Sequence, residues 1–473
     1  MNENLAALIP ELALLGAAVI GLLAGSWLPR RRQWTVAVLA GVACTAGLVA
    51  TGITMATGRE QTVFSNAFAV DTAANAGRLT VLGALLLVIT MSVETVRGHK
   101  RETEYWVLLL LTGAGTLALL GANDLLMLFA AYLLASIPAY ALAAFAKDNS
   151  GTEAALKYYL MGALLGTTML AGTALFYGAG HATLYRELRP ALPEAPYGPV
   201  AVALVAVLAG LLFKAGAVPA HFWVPDVTDG APAPVAAYVT TVPKIGALVA
   251  GYRLLHQALP DSAVNWPLLL AVLAAVTMTL GNLAAFFQTS VKRLLAYSAI
   301  SQVGYLLIAL AVATRTGLAQ QSLLFYLAAY AATNLGAFAV VTALPAARTL
   351  EDYRGLARRC PDLAAVLAVC LLGLVGTPPT GIFLGKLEIF SATIDGGYTW
   401  LAALAVANTV ASLFYYLRWL APLFTTTRSA PSATQAVLGP WTATTAYTAG
   451  TLALGLGIAG GAILPLGTGN LLP

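Results

Sequence analysis

The chain has 473 residues, of which 59% are hydrophobic and only 10% charged, and its mean hydropathy is +0.81. Soluble domains carry about 25% charged residues, so the composition excludes a soluble globular protein and points to a membrane protein. The net charge of +5 comes from 25 Lys and Arg against 20 Asp and Glu. These basic residues fall between apolar runs rather than on one solvated domain, which argues against a nucleic-acid partner.

Apolar segments of about 20 residues, the length of a helix that spans a bilayer, centre near residues 16, 45, 86, 113, 135, 168, 207, 242, 277, 304, 331, 378, 411 and 453. No polar stretch between them is long enough for a soluble domain, so the sequence predicts an all-α polytopic bundle of fourteen helices in contact with the lipid bilayer. The first segment follows Glu3 and precedes Arg30, Arg31 and Arg32. A cleaved signal has its positive charge on the other flank, so this segment is expected to remain as a helix. With the end before the arginine triplet outside, sixteen cations fall on the cytoplasmic side, among them Lys100, Lys292, Arg354 and Arg428. Six fall opposite: Arg59, Arg78, Arg186, Arg189, Arg253 and Arg315. That bias predicts both termini outside.

Three cations remain, Lys214, Lys244 and Lys386, and all lie deep in apolar segments. An ionised lysine at mid-bilayer costs about 2.5–3.5 kcal/mol on insertion scales, so packing alone does not account for three of them. Burial disfavours the charged form and a nearby carboxylate favours it, so a buried lysine with a movable partner can take up and release a proton. Snorkelling to the interface is the plain alternative, strongest for Lys214 because Trp223 and Asp226 follow it closely. Helix breakers accompany each lysine: Gly216 and Pro219 after Lys214, Pro243 before Lys244, and Gly376 to Gly381 with Pro378 and Pro379 before Lys386. Ordinary membrane helices carry such kinks too, but a pair of interrupted segments in two halves of a chain points to a mid-membrane ion site.

Other patterns carry less. Cys44, Cys360 and Cys370 have no CxxC spacing, so neither a disulfide framework nor a zinc or iron–sulfur site is indicated and no cofactor is expected in this chain. Gly455 to Gly460 matches GxGxxG by letter, yet it has no strand before it and no acidic residue after it, and is expected to pack helices. His221 has no second histidine at metal spacing and reads as a loop residue orienting backbone or supporting a lysine relay rather than a metal ligand.

The segment from Lys214 through His221-Phe-Trp-Val-Pro-Asp226 to Thr241-Val-Pro-Lys-Ile245 resembles the antiporter-like membrane subunits of proton-pumping NADH-quinone oxidoreductase, respiratory complex I, and among them subunit N. Further similar elements are Glu153-Ala-Ala-Leu-Lys-Tyr158, Lys292-Arg-Leu-Leu-Ala-Tyr-Ser298, Gln302-Val-Gly-Tyr305, Asp352-Tyr-Arg-Gly-Leu356 and Pro378-Pro-Thr-Gly381, in order over about residues 100 to 420. The resemblance implies two inverted five-helix repeats, helices 4 to 8 and 9 to 13, with helices 7 and 12 broken. The expected divisions are 1–99 for helices 1 to 3, 100–260 and 261–425 for the repeats, and 426–473 for the last helix. It implies Lys214 as the proton-exchanging lysine of the first half-channel, Lys244 as central relay and Lys386 in the second half-channel. Quinone reduction would occur elsewhere in the complex, the partners would be other membrane subunits, and the location a bacterial plasma membrane. The alternatives are a subunit of a multisubunit cation/proton antiporter and a divergent paralogue with impaired pumping. The last rests on Leu133, which stands where the family has a glutamate on helix 5, while Asp124 lies nine residues earlier, about 13 Å along a helix.

Overall fold

The computed structural model describes residues 4–261, 263–425 and 439–472; Glu3 and Arg428, used above to read topology, lie outside the described residues. The helices in chain order are α1 (Ile9–Trp27), α2 (Trp34–Ala56), α3 (Thr72–Val96), α4 (Glu102–Leu120), α5 (Leu125–Ala143) and α6 (Asn149–Gly180). There follow the short α7 (Tyr185–Ala191), α8 (Tyr197–Ala215), α9 (Trp223–Gly230), α10 (Ala233–Ala258), α11 (Trp266–Ala285), α12 (Val291–Ala311) and α13 (Leu318–Ala343). The one-turn α14 (Leu356–Arg359) leads to α15 (Pro361–Val375), α16 (Gly381–Asp395), α17 (Thr399–Phe424), α18 (Pro440–Ile458) and α19 (Gly460–Ile463). An antiparallel hairpin of β1 (Gln61–Val63) and β2 (Phe68–Val70) joins α2 to α3.

Among the described residues twelve helices are long and apolar enough to cross a membrane, or thirteen if α18 and the helical stretch after it, bent by 77°, form one span. The segment expected near residue 378 is two 15-residue helices, α15 and α16, with the chain broken between them at the breakers of residues 376–381. Helices start where side chains can satisfy free amides: Asp71, Asp124, Asp148 and Ser290 cap α3, α5, α6 and α12 by accepting from backbone N–H groups of the first turn. Helices α10, α12 and α13 are buried almost throughout, whereas α2 and α6 turn most of their residues outward. The bundle thus has an all-round apolar centre and a lipid-facing rim.

Two arginines assigned to loops lie instead inside the bundle. Arg78 sits in α3, buried, with Glu11 of α1 accepting at 2.8 and 2.9 Å. Arg253 sits in α10, where both Asp71 carboxylate oxygens accept from it at 2.7 Å and neither side chain is exposed. An arginine near the end of an apolar run looks like a loop residue in sequence; a distant carboxylate makes burial tolerable.

The two helix breaks are built alike. Gly216 and Gly376 both adopt left-handed backbone, φ +78° and +88°, a conformation that glycine takes without steric cost. At each, the glycine N–H and the next N–H turn back on the end of the helix, reaching Leu212 O at α8 and Leu372 O at α15. This is the left-handed closure that ends a helix, and it lets the chain re-enter as a second helix after a few residues.

A file of buried lysines

Lys214 lies in the last turn of α8, fully buried. Its ammonium donates to Ala135 O at 2.7 Å and Ser136 Oγ at 2.8 Å, both on α5. Thr112 Oγ1 donates to the same Ala135 carbonyl at 2.6 Å, and the Tyr238 hydroxyl of α10 donates to Thr112 at 3.1 Å. A short polar path therefore leads from Lys214 back to the helix that carries Lys244.

Lys244 is near the middle of α10 and fully buried, so the interface is out of reach of its side chain. It donates to Ala299 O of α12 at 3.1 Å. A Cβ at Gly216 would stand 3.6 Å from its Nζ, which puts the first helix break beside this lysine. Ala299, Gln302 and Tyr305 follow at three-residue spacing, so they share one face of α12. Gln302 Nε2 donates to Leu374 O at 2.8 Å and Gln302 Oε1 accepts from the Tyr326 hydroxyl.

Lys386 of α16 donates to Val375 O at 2.8 Å and Thr409 Oγ1 at 3.3 Å. Its ammonium sits 4.3 Å from the centre of the Tyr305 ring, an attractive position for a cation. A Cβ at Gly376 would stand 2.9 Å from Lys386 Cδ, so the second break packs on this lysine as the first does on Lys244. Gln302 and Lys386 thus bond to adjacent carbonyls, Leu374 and Val375, that cap the end of α15.

Among the described residues none of the three lysines belongs to an ion pair. Each ammonium is solvated by carbonyls and hydroxyls. Leu133 packs half-buried against the core, and Asp124 is spent on capping α5. His221 lies in the break between α8 and α9, buried, with Nδ1 lacking a hydrogen-bond partner among the described residues. Ser301 Oγ on α12 and Asn334 Oδ1 on α13 are likewise buried without partners among the described residues. Thr112, Ser136, Tyr238, Gln302, Tyr326 and Thr409 escaped the sequence reading as site residues, since neutral side chains in apolar segments give no charge signal.

At one end of the bundle Asp226 of α9 ties three elements together, accepting from Lys157 of α6 at 2.8 Å and Arg293 of α12 at 3.0 Å. Burial by itself would raise the Asp226 carboxyl, but these two cations hold it below the usual carboxylate range. The glycine-rich stretch from the end of α18 into α19 is packing: a Cβ at Gly457 would meet Pro379 O at 1.9 Å, and one at Gly460 would meet Leu384. Cys44 and Cys370 are buried, Cys360 partly so, and all three are free.

The family model described as NADH:quinone oxidoreductase/Mrp antiporter, transmembrane, matches residues 122–412, a stretch that contains all three lysines. NADH-quinone oxidoreductase subunit N 1 of Streptomyces griseus is 56% identical, with 98% of each chain covered. Subunit N of a Mycobacterium species is 49% identical, with 97% of each covered. A chain of respiratory complex I from Thermus thermophilus superposes with a TM-score of 0.84 at 33% identity, covering 97% of this chain and 100% of that one. A chain of the Mrp complex from a Dietzia species superposes with a TM-score of 0.85 at 23% identity, a likeness of fold alone. The chain therefore belongs to the NADH:quinone oxidoreductase/Mrp antiporter membrane-subunit family, on its subunit N branch.

Proposed function

We propose that this chain is the proton-translocating membrane subunit of a complex I-like NADH-quinone oxidoreductase, carrying protons along Lys214, Lys244 and Lys386 while quinone is reduced elsewhere in the complex. The carrying observation is that three buried ammonium groups in apolar helices have, among the described residues, only neutral hydrogen-bond partners: a carbonyl and a hydroxyl of α5, a carbonyl of α12, and a carbonyl of α15 with a hydroxyl of α17. Such groups are expensive in a membrane and are kept where charge must move. His221 supports the first half-channel from the α8–α9 break. The chain works without a redox centre of its own, beside other membrane subunits in a bacterial plasma membrane.

The like construction of the Gly216 and Gly376 breaks supports fourteen helices in two inverted repeats, within 100–260 and 261–425, and the cation bias supports external termini. The identity of 56% and 49% to subunits N favours this reading over a separate cation/proton antiporter. A paralogue with altered pumping is the second reading, favoured by Leu133 and by a Lys214 whose hydrogen bonds among the described residues go to Ala135 and Ser136. The test is Lys244→Ala in the whole complex, reconstituted in liposomes. Assembly and NADH oxidation should persist in part while proton uptake per NADH falls several-fold; unchanged coupled pumping would reject the relay.

A further inference from the structure

A second feature lies on the lipid-facing rim, away from the lysines. Helices α2 and α3 form a groove of about 920 Å3, lined also by Trp106 of α4 and Trp441 of α18. Its walls are almost entirely apolar, with Gly41, Thr45 and Val49 on α2 and Leu86, Ile89 and Val93 on α3. Nothing approaches within 4 Å of a Cβ built on Gly41, so the groove has real width there. Bundle helices usually close such gaps by interdigitation.

The polar end is what identifies the occupant. Arg97 lines the mouth, and Arg30, Arg31 and Arg32 immediately precede α2, whose Trp34 lines the same mouth. All four arginines are exposed, and among the described residues none is in an ion pair. The nearby acids are committed elsewhere: Glu102 accepts from Gly98 N, and Glu94 accepts from the Trp441 and Thr442 amides. Trp34 and Trp441 are each about half exposed, 47% and 49%, as tryptophans at the headgroup level of a bilayer are.

We infer that the α2–α3 groove is a binding site for an anionic phospholipid, one acyl chain lying along Gly41 and Ile89 and the phosphate held by Arg97 and the Arg30–Arg32 triplet. An apolar slot alone would suit any lipid or a partner helix; Arg97 in its lining, with the exposed Arg30–Arg32 turn just before Trp34, selects a negative headgroup, which guanidinium groups can hold through paired N–H donors.

The test uses the whole complex in nanodiscs that contain photoactivatable phosphatidylglycerol or photoactivatable phosphatidylcholine, with crosslinks mapped by peptide mass. Phosphatidylglycerol should label α2 and α3 peptides several-fold more than phosphatidylcholine. Gly41→Phe, which fills the groove from an open position, should abolish that labelling while NADH oxidation persists. Arg97→Gln, an exposed change that leaves the helices intact, should bring the two lipids toward equal labelling. Equal labelling of the wild-type complex by both lipids overturns the inference. So does labelling that survives Gly41→Phe, or the absence of any lipid label because a helix of another subunit fills the groove.

Discussion

Lys214 meets α5 at Ala135 and Ser136, and Leu133 is one turn before Ser136, at the i, i+3 spacing that makes neighbours on a helix surface. A carboxylate introduced as Leu133→Glu is therefore within reach of Lys214. The expected result is a shifted pH profile of proton uptake that disappears in Leu133→Glu with Lys214→Ala; identical profiles for the two variants would show that positions 133 and 214 are uncoupled. The Arg253–Asp71 pair has a structural role: both side chains are fully buried, and Asp71 also accepts from Leu472 N at 3.0 Å. Asp71→Ala should destabilise the chain by about 3–5 kcal/mol, because it strands a buried guanidinium, read as a loss of assembled complex on heating in detergent. The lysines were legible in sequence because a charge in an apolar run contradicts its surroundings. Arg78 and Arg253 were misplaced because their partners, Glu11 and Asp71, stand 67 and 182 residues away.

Each break is an element whose shape depends on one glycine. A side chain at Gly376 would force an L-residue into left-handed backbone, at about 1–2 kcal/mol, and would also press on Lys386 Cδ at 2.9 Å. Gly376→Ala should thus lower proton uptake per NADH more than it lowers the amount of assembled complex, and equal losses in both would mean the break serves folding alone. The Asp226 clamp belongs to this scale as well, since it joins α6, α9 and α12. A carboxyl held below its ordinary value contributes stability above the unfolded value, and that contribution is lost as pH falls through the folded value. Acidification should therefore loosen α9 first, seen as faster hydrogen exchange around Trp223–Gly230 that Asp226→Asn reproduces at neutral pH. Both breaks could be anticipated from Gly216 with Pro219 and from Gly376 with Pro379. The polar face of α12 could not, because Ala299, Gln302 and Tyr305 acquire meaning only when Lys244 and the end of α15 arrive on either side.

At the scale of the whole molecule the lysine file runs across the bundle, through α8, α10 and α16, so in the proposed relay no single helix carries a proton alone. Moving one charge against 100 mV takes about 2.3 kcal/mol, and the lysines' neutral partners supply no such energy. In the proposed function the drive comes from redox chemistry in neighbouring subunits, which also sets a direction and makes orientation in the membrane part of that proposal. Composition and segment length disclosed the helical bundle, but orientation rests on loop charge. With Arg78 and Arg253 moved into the bundle, the minority side keeps Arg59, Arg186, Arg189 and Arg315 against the same cytoplasmic set, so the bias is steeper than the sequence count. Arg59 and Arg354 lie at opposite ends of this scheme. In a Cys360→Ser background, which removes the free thiol nearest position 354, Arg59→Cys should react with an impermeant maleimide added to intact cells. Arg354→Cys should react only after the membrane is opened. Labelling of Arg354→Cys from outside would invert the orientation and, with it, the side from which the proposed relay loads Lys214 and Lys386.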